Sequence, residues 1–369
     1  MRPLRLLVPA NIRHNSGGNA YNARLVAGLR ALGAEVDVLP VEGSWPESSA
    51  KERRRLGSLI GAWEPEARPE AAVAIVDGLV AVGVPDELEF AAKAEQETWV
   101  LVHMPVPEES GPESLEREAR ALRAASGVIC TSSWAADILA VRHGLRGLRV
   151  ALPGTDTAPL AQGSVPPHIL NVAALLPNKE QVLVVEALAR IQELAWSASL
   201  VGSDEADPEY AGLVRAAVAA HGLEGRVQIT GELMGQALED EWNRADLSVL
   251  VSRAEAFGMV VTESLAHGIP VAVRAGTGAV EALSFAAPDK GKSGRLPGMA
   301  VYFEGIDGPE NPALLAGVLR DWLQDRGTRD TWRTAALETR NRLPGWDHPA
   351  ALVLDALSKT ARSKNPAQE

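Results

Sequence analysis

Two glutamates stand eight positions apart in residues 252–270, SRAEAFGMVVTESLAHGIP, a segment that predicts a loop opening into a helix. Glu255 falls in the loop and Glu263 in the helix. Carboxylates accept hydrogen bonds, and the vicinal hydroxyls of a sugar donate them. The amides of Phe257, Gly258 and Met259 would begin the helix, where unpaired N–H groups attract a phosphate or sugar oxygen. In this setting a site for a ligand with phosphate and hydroxyl groups is favoured over the alternative, two solvated surface glutamates.

A glycine pair and a lysine also follow predicted strands. Gly17 and Gly18 come between the first strand and a helix, where a diphosphate could approach bare backbone and the positive end of the helix. The alternative is a turn that needs a positive φ. Lys179 lies between a later strand and its helix, a position from which an ammonium group could face a phosphate. Both positions are therefore candidates for phosphate binding.

His103 and Asp77 each end a strongly apolar strand in the first half of the chain. A histidine at a strand end is often a hydrogen-bonded structural residue, and the residues alone do not distinguish this from a role in ligand binding. Asp77 could orient the hydroxyl of an acceptor, or it could cap the following helix. Both interpretations stay open for each residue.

Strands and helices that alternate along the whole chain must position these residues, a pattern typical of helices packed on parallel sheets. Apolar runs predict strands in two series. The first series comprises residues 4–8, 36–41, 72–76, 98–103, 127–131 and 148–152, and the second comprises 169–175, 198–201, 227–230, 247–251, 270–273 and 299–303. A linker rich in Pro and Gly, residues 152–167, separates the two series.

We therefore expect an α/β protein of two Rossmann-like domains, residues 1–160 and 161–345, with a helix at about 346–363 that returns to the first domain. Ligands of open α/β sheets bind beyond the carboxyl ends of the strands. The two domains are expected to face each other across a cleft, so that the strand-to-helix loops carry the chemistry.

The composition is that of a globular protein, since 46% of the 369 residues are hydrophobic and 23% are charged. The 48 acidic residues outnumber the 36 Lys and Arg, and the formal net charge of -12 disfavours binding to nucleic acid. Cys130 is the single cysteine, which excludes an intramolecular disulfide and a cysteine-built zinc site. No apolar run reaches the ~20 residues of a membrane span, so we expect a cytoplasmic protein.

The seven histidines lack metal-binding spacing, and no D-x-D loop follows a strand in a suitable setting, so we expect neither a catalytic metal nor a cofactor. A basic cluster, residues 51–55, precedes an apolar stripe at helical spacing. The stripe is formed by Leu56, Leu59, Ile60 and Trp63. Such a helix can bind an anionic membrane, but in an acidic chain we favour packing of the stripe on the first sheet.

The sequence resembles the retaining GT-B glycosyltransferases of family 4, because residues 255–263 match their E-x7-E motif. The resemblance covers nearly the whole chain. Residues 16–19 (SGGN) resemble the first glycine loop of the family, and residues 100–105 (VLVHMP) resemble the strand end that carries its histidine. Residues 152–156 (LPGTD) resemble the P-N-G-V-D turn, and residues 171–180 (NVAALLPNKE) resemble the V-G-R-L-x-x-x-K-G segment. In the last segment Ala174 replaces the usual Arg and Glu180 replaces the Gly after the lysine. Arg253 or another cation would have to compensate for the missing charge.

The resemblance implies a GT-B fold whose second domain binds a nucleoside diphosphate sugar, with a UDP-sugar favoured, and whose first domain supplies the acceptor site. It implies retention by front-face substitution, in which the leaving diphosphate takes the acceptor proton without a metal, and the protein positions the reactants. The expected catalytic residues are His103, Lys179 and Glu255. Donor contacts are expected for Gly17, Gly18, Lys179, Leu233, Glu255, Phe257, Gly258, Met259 and Glu263, and acceptor contacts for Asn19, Asp77 and His103.

Within this set, Lys179 and the amides near Gly258 would bind the diphosphate and the sugar. Glu255 would bind hexose hydroxyls, Glu263 the ribose, and His103 the transferred hexose. The backbone of residues 231–234 would meet the nucleobase, which leaves the identity of the base open.

Other functions of the same fold remain as alternatives. Ala174 keeps open a non-catalytic subunit that binds a nucleotide-sugar. A GT-B epimerase or phosphorylase is the next alternative, although a pyridoxal phosphate enzyme needs a Schiff-base lysine and 369 residues is short for one. A dehydrogenase is disfavoured because no full G-x-G-x-x-G follows the first strand. The acceptor, the hexose and the oligomeric state are not predicted by any motif in the sequence.

Overall fold

The computed structural model describes residues 2–11, 16–63, 72–287, 296–305 and 307–363, with side chains described to residue 359. The chain forms two compact units. The first comprises Met1–Gly154 and Trp346–Glu369, and the second comprises Thr155–Gly345. Each unit has one parallel β-sheet with helices packed against it. The predicted α/β class with two Rossmann-like sheets is therefore confirmed.

The sheet of the first unit consists of β1 (Leu4–Pro9), β2 (Val36–Val41), β3 (Val73–Asp77), β4 (Thr98–Val102), β5 (Gly127–Cys130) and β6 (Arg149–Val150). All pairings are parallel, and the order across the sheet is β2-β1-β3-β4-β5-β6. β3 and β4 are buried along their whole length, as expected for continuous apolar runs in the centre of a parallel sheet. Because the chain changes direction across the sheet between β1 and β3, a topological switch point lies beyond their carboxyl ends.

The helices of the first unit are α1 (Gly17–Ala31), α2 (Ala50–Ile60), α3 (Gly78–Val82), α4 (Pro85–Lys93), α5 (Gly111–Ala124) and α6 (Ser133–His143). Leu56 and Ile60 of α2 are buried in the core of this unit. Trp63 contacts Phe90 of α4, with their ring centroids 5.0 Å apart. Leu56 and Ile60 of the apolar stripe therefore pack inside the first unit, Leu59 is partly buried against the same core, and Trp63 remains 39% exposed. None of the described helices combines the length and apolar character needed to cross a membrane.

The sheet of the second unit consists of β7 (His168–Val172), β8 (Ser197–Val201), β9 (Val227–Gly231), β10 (Leu247–Leu250), β11 (Val271–Arg274) and β12 (Gly298–Val301). Its strands are also parallel, in the order β12-β11-β10-β7-β8-β9. The switch point of this sheet falls between β7 and β10. The helices of the unit are α7 (Gln181–Ala189), α8 (Pro208–Ala220), α9 (Gln236–Arg244), α10 (Met259–Ala266), α11 (Ala279–Ser284), α12 (Asn311–Gln324) and α13 (Arg326–Arg340).

A last helix, α14 (Asp347–Ser363), packs on α1 of the first unit. Gly28 makes this approach possible, because a Cβ at that position would lie 2.7 Å from the carbonyl oxygen of Trp346 and 3.0 Å from Cβ of Ala350. The ring of Trp346 also meets Tyr21 edge to face, with centroids 5.5 Å apart. The first unit is thus completed by residues that follow the second unit in the chain.

Candidate functional site

The switch point of the second unit brings Lys179 and Glu255 together. Lys179 ends a short 3-10 turn (Pro177–Lys179) after β7, and Glu255 lies in the loop after β10, the neighbouring strand. Lys179 Nζ lies 2.8 Å from Glu255 Oε2, and the two side chains are 22% and 16% exposed. A cation and a carboxylate predicted to bind the same ligand thus form an ion pair at the edge where ligands of such sheets bind.

The loop that carries Glu255 is fixed by its backbone. Its carbonyl oxygen accepts a 2.7 Å hydrogen bond from the amide of Gly278. Gly258 has a φ of 84°, and α10 begins at the next residue, Met259. The first amides of a helix have no partner within it, and in α10 these begin at Gly258 and Met259, so the predicted amide site starts one residue later than Phe257. Glu263 lies half-buried in the second turn of the same helix.

Behind Lys179, two arginines surround Glu180, and this cluster was not predicted from the sequence. Glu180 is buried and has a φ of 60° and a ψ of 34°, a left-handed conformation. Its carboxylate accepts a hydrogen bond from Arg253 Nε and lies 4.0 Å from Arg274 Nη2. Arg253 also pairs with Asp307 at 2.8 Å. The cation expected to compensate for Ala174 is therefore neutralised by two carboxylates.

Arg274 is one of the residues that the sequence analysis missed, although an arginine that ends the apolar run VAVR of β11 is a visible signal. Its side chain is buried, its Nε donates to the carbonyl oxygen of Val251 at 2.9 Å, and its guanidinium lies 4.2 Å from the ring centroid of Phe303. Burial lowers the pKa of Arg274, and the nearby charge of Glu180 opposes this effect. Arg274 Nη2 makes no hydrogen bond with the described residues.

Leu233 lies away from the switch point along the sheet. It follows β9, the edge strand, which is separated from β7 by β8. The side chain is partly buried against the cluster that contains Trp242. The structure therefore places Leu233 in a strand-to-helix loop of the second unit, as predicted, and gives it an apolar contact within that unit.

In the first unit, three buried or half-buried side chains meet near the switch point between β1 and β3. Asn22 Nδ2 donates to Asp77 Oδ2 at 3.1 Å, and Asn22 Oδ1 lies 3.0 Å from His103 Nε2. His103 Nε2 is 3.4 Å from the same Asp77 oxygen. Asp77 Oδ1 accepts from the amide of Leu79 at 3.0 Å, so this residue caps α3 and also joins the polar cluster.

The hydrogen bonds of the cluster fix the proton on one nitrogen of His103. A carboxylate accepts only, so the amide nitrogen of Asn22 must face Asp77 and its oxygen must face the imidazole. Nε2 of His103 is therefore the donor, and in the neutral ring Nδ1 is left as an acceptor. Asn22 was not predicted, because an asparagine inside a helix carries no signal for this contact.

The glycine loop opens α1 beside this cluster. Ser16 caps the helix by accepting from the amide of Asn19 at 3.2 Å. A Cβ at Gly18 would lie 3.3 Å from Cδ2 of His103, so the glycine lets the imidazole approach the backbone. Neither Gly17 nor Gly18 has a positive φ. The alternative of a turn that needs a positive φ is therefore wrong for both.

A cavity of about 650 Å³ lies in the first unit at the carboxyl ends of β3 and β4. Asp77 and His103 line it together with Ser16, Gly18 and Asn19. A smaller cavity of about 290 Å³ in the second unit is lined by Glu180, Arg253 and Asp307, among others. Within the described residues, no three His, Cys, Asp or Glu side chains are grouped as metal ligands.

Comparison with known proteins gives a family match for part of the chain. Residues 157–291 match the family described as Glycosyl transferases group 1. Mannosylfructose-phosphate synthase of Agrobacterium fabrum is 27% identical over 197 residues, which is 47% of this chain and 43% of that relative. The match thus spans less than half the length of the curated relative.

Solved structures resemble the chain over almost its whole length. Sucrose-phosphate synthase of Thermosynechococcus elongatus has a TM-score of 0.75 at 19% identity, with 99% of this chain and 100% of that chain covered. The Anabaena protein Alr3699/HepE in complex with UDP-glucose has a TM-score of 0.72 at 17% identity, with 96% and 100% covered. The chain therefore has the GT-B fold, and its residues 157–291 match the glycosyltransferases of group 1.

Proposed function

We propose that this chain is a retaining hexosyltransferase of family 4 that transfers a hexose from a nucleoside diphosphate sugar, preferably a UDP-sugar, to an acceptor hydroxyl. The observation that carries the proposal is the 2.8 Å pair of Lys179 and Glu255 beside the first turn of α10. The pair lies at a switch point, where nucleotides bind in such sheets, and inside the segment that matches group 1 glycosyltransferases.

The donor would replace the partners of this ion pair. Lys179 would turn to the diphosphate, together with the amides that open α10, because both are positive. Glu255 would then accept hydrogen bonds from hexose hydroxyls, and Glu263 from the ribose. Lys179 and Glu255, which pair with each other in the structure, would each be paired with the donor instead, so that neither buried charge would lose its partner.

The transfer itself needs positioning and stabilisation of the leaving group. The bond from the anomeric carbon to the diphosphate oxygen breaks, and a bond from the acceptor oxygen forms on the same face. The acceptor proton passes to the departing diphosphate, whose charge Lys179 and the α10 amides would stabilise. His103 would contact the transferred hexose. We propose that no metal or cofactor takes part.

Thermal unfolding with UDP, GDP, ADP or no ligand tests the donor site. A ligand at 100 times its Kd adds about 2.7 kcal/mol to the free energy of unfolding, so UDP should raise the Tm most. Lys179→Met and Glu263→Ala should lose this response. Lys359→Met is the matched control, because Lys359 pairs with Asp355 on α14 and is 57% exposed. If no diphosphate raises the Tm at millimolar concentration, the proposal is wrong.

Product analysis separates a transferase from a non-catalytic subunit. The second possibility is favoured by Ala174 and by the two carboxylates that neutralise Arg253. A transferase should give a glycoside with the anomeric configuration of the donor, visible by proton NMR, and Lys179→Met should abolish it. Binding of UDP without hydrolysis or transfer from any UDP-hexose would favour the non-catalytic subunit.

A further inference from the structure

The 650 Å³ cavity of the first unit has mainly apolar walls. α3 contributes Leu79 and Val82, α5 contributes Ala121 and Leu122, and residues 104–107 (MPVP) also line the cavity. A volume of about 300–1,000 Å³ with few polar groups is typical of sites that enclose most of a small organic ligand. The cavity is therefore large enough for a ligand of two or three rings.

Among the described residues that line the cavity, three are carboxylates, and each already has a partner. Glu118 accepts from the amide of Val106 at 2.7 Å and lies 2.7 Å from His143 Nε2. Glu47 pairs with Arg117. The third acid, Asp77, is held by the contacts described above. The described lining residues include no Lys or Arg that could pair with a phosphate or carboxylate, and burying an unpaired charge is costly.

Asp77 and His103 line the cavity with Ser16 and Asn19, near the switch point between β1 and β3. The other polar side chains among its described lining residues are Glu47, Ser110, Ser114 and Glu118. His103 Nδ1 is an acceptor in the neutral ring because Nε2 donates to Asn22. A hydroxyl group could therefore donate to His103 while the rest of the ligand contacts the walls formed by α3 and α5.

We propose that the cavity binds an uncharged alcohol with an apolar, ring-sized body, with its hydroxyl towards Asp77 and His103, and that this alcohol is the acceptor class. The role as acceptor rests on the proposed glycosyltransferase function, whereas binding of the alcohol does not. Recognition comes from apolar contact on most of the ligand surface and from one polar end.

Isothermal titration calorimetry with 2-naphthalenemethanol tests the binding, with 2-naphthoate and fructose 6-phosphate as anionic comparisons. The alcohol should bind at least about tenfold more tightly than either anion. Ser114 and Val106 line the cavity from partly buried positions, so Ser114→Trp and Val106→Phe should fill it and weaken binding about tenfold or more. Ser114→Ala should bind as the wild type does. Ser358→Trp, at an exposed position of α14, is the control for the added indole.

The Tm response to UDP, measured on the same samples, separates the two proposals. If UDP raises the Tm but the alcohol does not bind, or fructose 6-phosphate binds more tightly, the inference about the cavity is wrong and the donor site stands. If the alcohol binds and Ser114→Trp blocks it, but no diphosphate raises the Tm, the cavity stands and the transferase is wrong. Formation of naphthylmethyl glucoside from UDP-glucose, lost in both filled variants, would support both.

Discussion

The backbone of Glu180 gives the sharpest test of how the donor loop is held. A left-handed conformation costs an L-residue about 1–2 kcal/mol relative to glycine. The V-G-R-L-x-x-x-K-G segment that residues 171–180 resemble has glycine at the position of Glu180. The carboxylate, 8% exposed, lies between Arg253 and Arg274. We therefore expect the ion pairs to offset the strain, so that Glu180→Ala loses the charge and keeps the strain, whereas Glu180→Gly loses both.

The magnitudes follow from the burial of the partners. Removing one partner of a buried ion pair costs about 3–5 kcal/mol. Arg253 is 37% exposed and keeps Asp307, so a smaller loss is expected for Glu180→Ala, about 2–3 kcal/mol by the same reasoning. Glu180→Gly should be more stable than the alanine variant by about 1 kcal/mol, because alanine is strained at positive φ.

Urea denaturation followed by tryptophan fluorescence measures these differences. Thermal unfolding gives a second measure, because 1 kcal/mol corresponds to about 2–4 °C in Tm for a unit of this size. Glu180→Ala should therefore melt about 4–12 °C below the wild type. Glu224→Ala, an exposed glutamate of the same unit, should change the free energy of unfolding by less than about 0.5 kcal/mol. The reasoning is refuted if Glu180→Ala is as stable as the wild type, or if Glu180→Gly is less stable than Glu180→Ala.

Two further predictions concern a buried carboxylate and the histidine cluster. Burial opposes ionisation of Glu241, but nearby His168 and Arg244 outweigh this and lower its pKa from 4.5 to about 2. The carboxylate therefore adds about 3 kcal/mol to the free energy of unfolding above pH 4.5, and this contribution is lost as the pH falls towards 2. In acid unfolding experiments, Glu241→Gln should lack this loss of stability. An acid transition identical to that of the wild type would contradict the prediction. Asn22→Leu removes the hydrogen bond that orients the His103 ring, so it should lower kcat at least about tenfold. The rise in Tm caused by UDP should stay unchanged. Activity equal to that of the wild type would show that the tautomer of His103 is irrelevant.

The central strands could be predicted because they are buried along their whole length. VAIVD of β3 and TWVLV of β4 are continuous apolar runs, and each of the twelve predicted runs overlaps a strand. Since ligands bind at the carboxyl ends of such strands, the positions of Lys179 and Glu255 after strands made them candidates, and the resemblance to the E-x7-E family supported the choice. Their mutual contact could not, because it depends on the order of strands across the sheet.

Asn22 and Glu180 show what local sequence cannot reveal. Asn22 is one polar residue within a helix, and its partners Asp77 and His103 are 55 and 81 positions away. The left-handed backbone of Glu180 contradicts the preference of its residue type, and the arginines around it come from β11 and from the loop after β10. Both features depend on tertiary contacts that no spacing in the chain records.

The packing of α14 on α1 has a consequence for how the protein is made. The first unit cannot complete its core around Tyr21 and Gly28 until Trp346 and α14 leave the ribosome. At ~5–20 residues per second, synthesis of the intervening unit delays this by on the order of ten seconds or more. During that interval the second unit can fold, whereas the apolar face of α1 is open to chaperones and to other nascent chains.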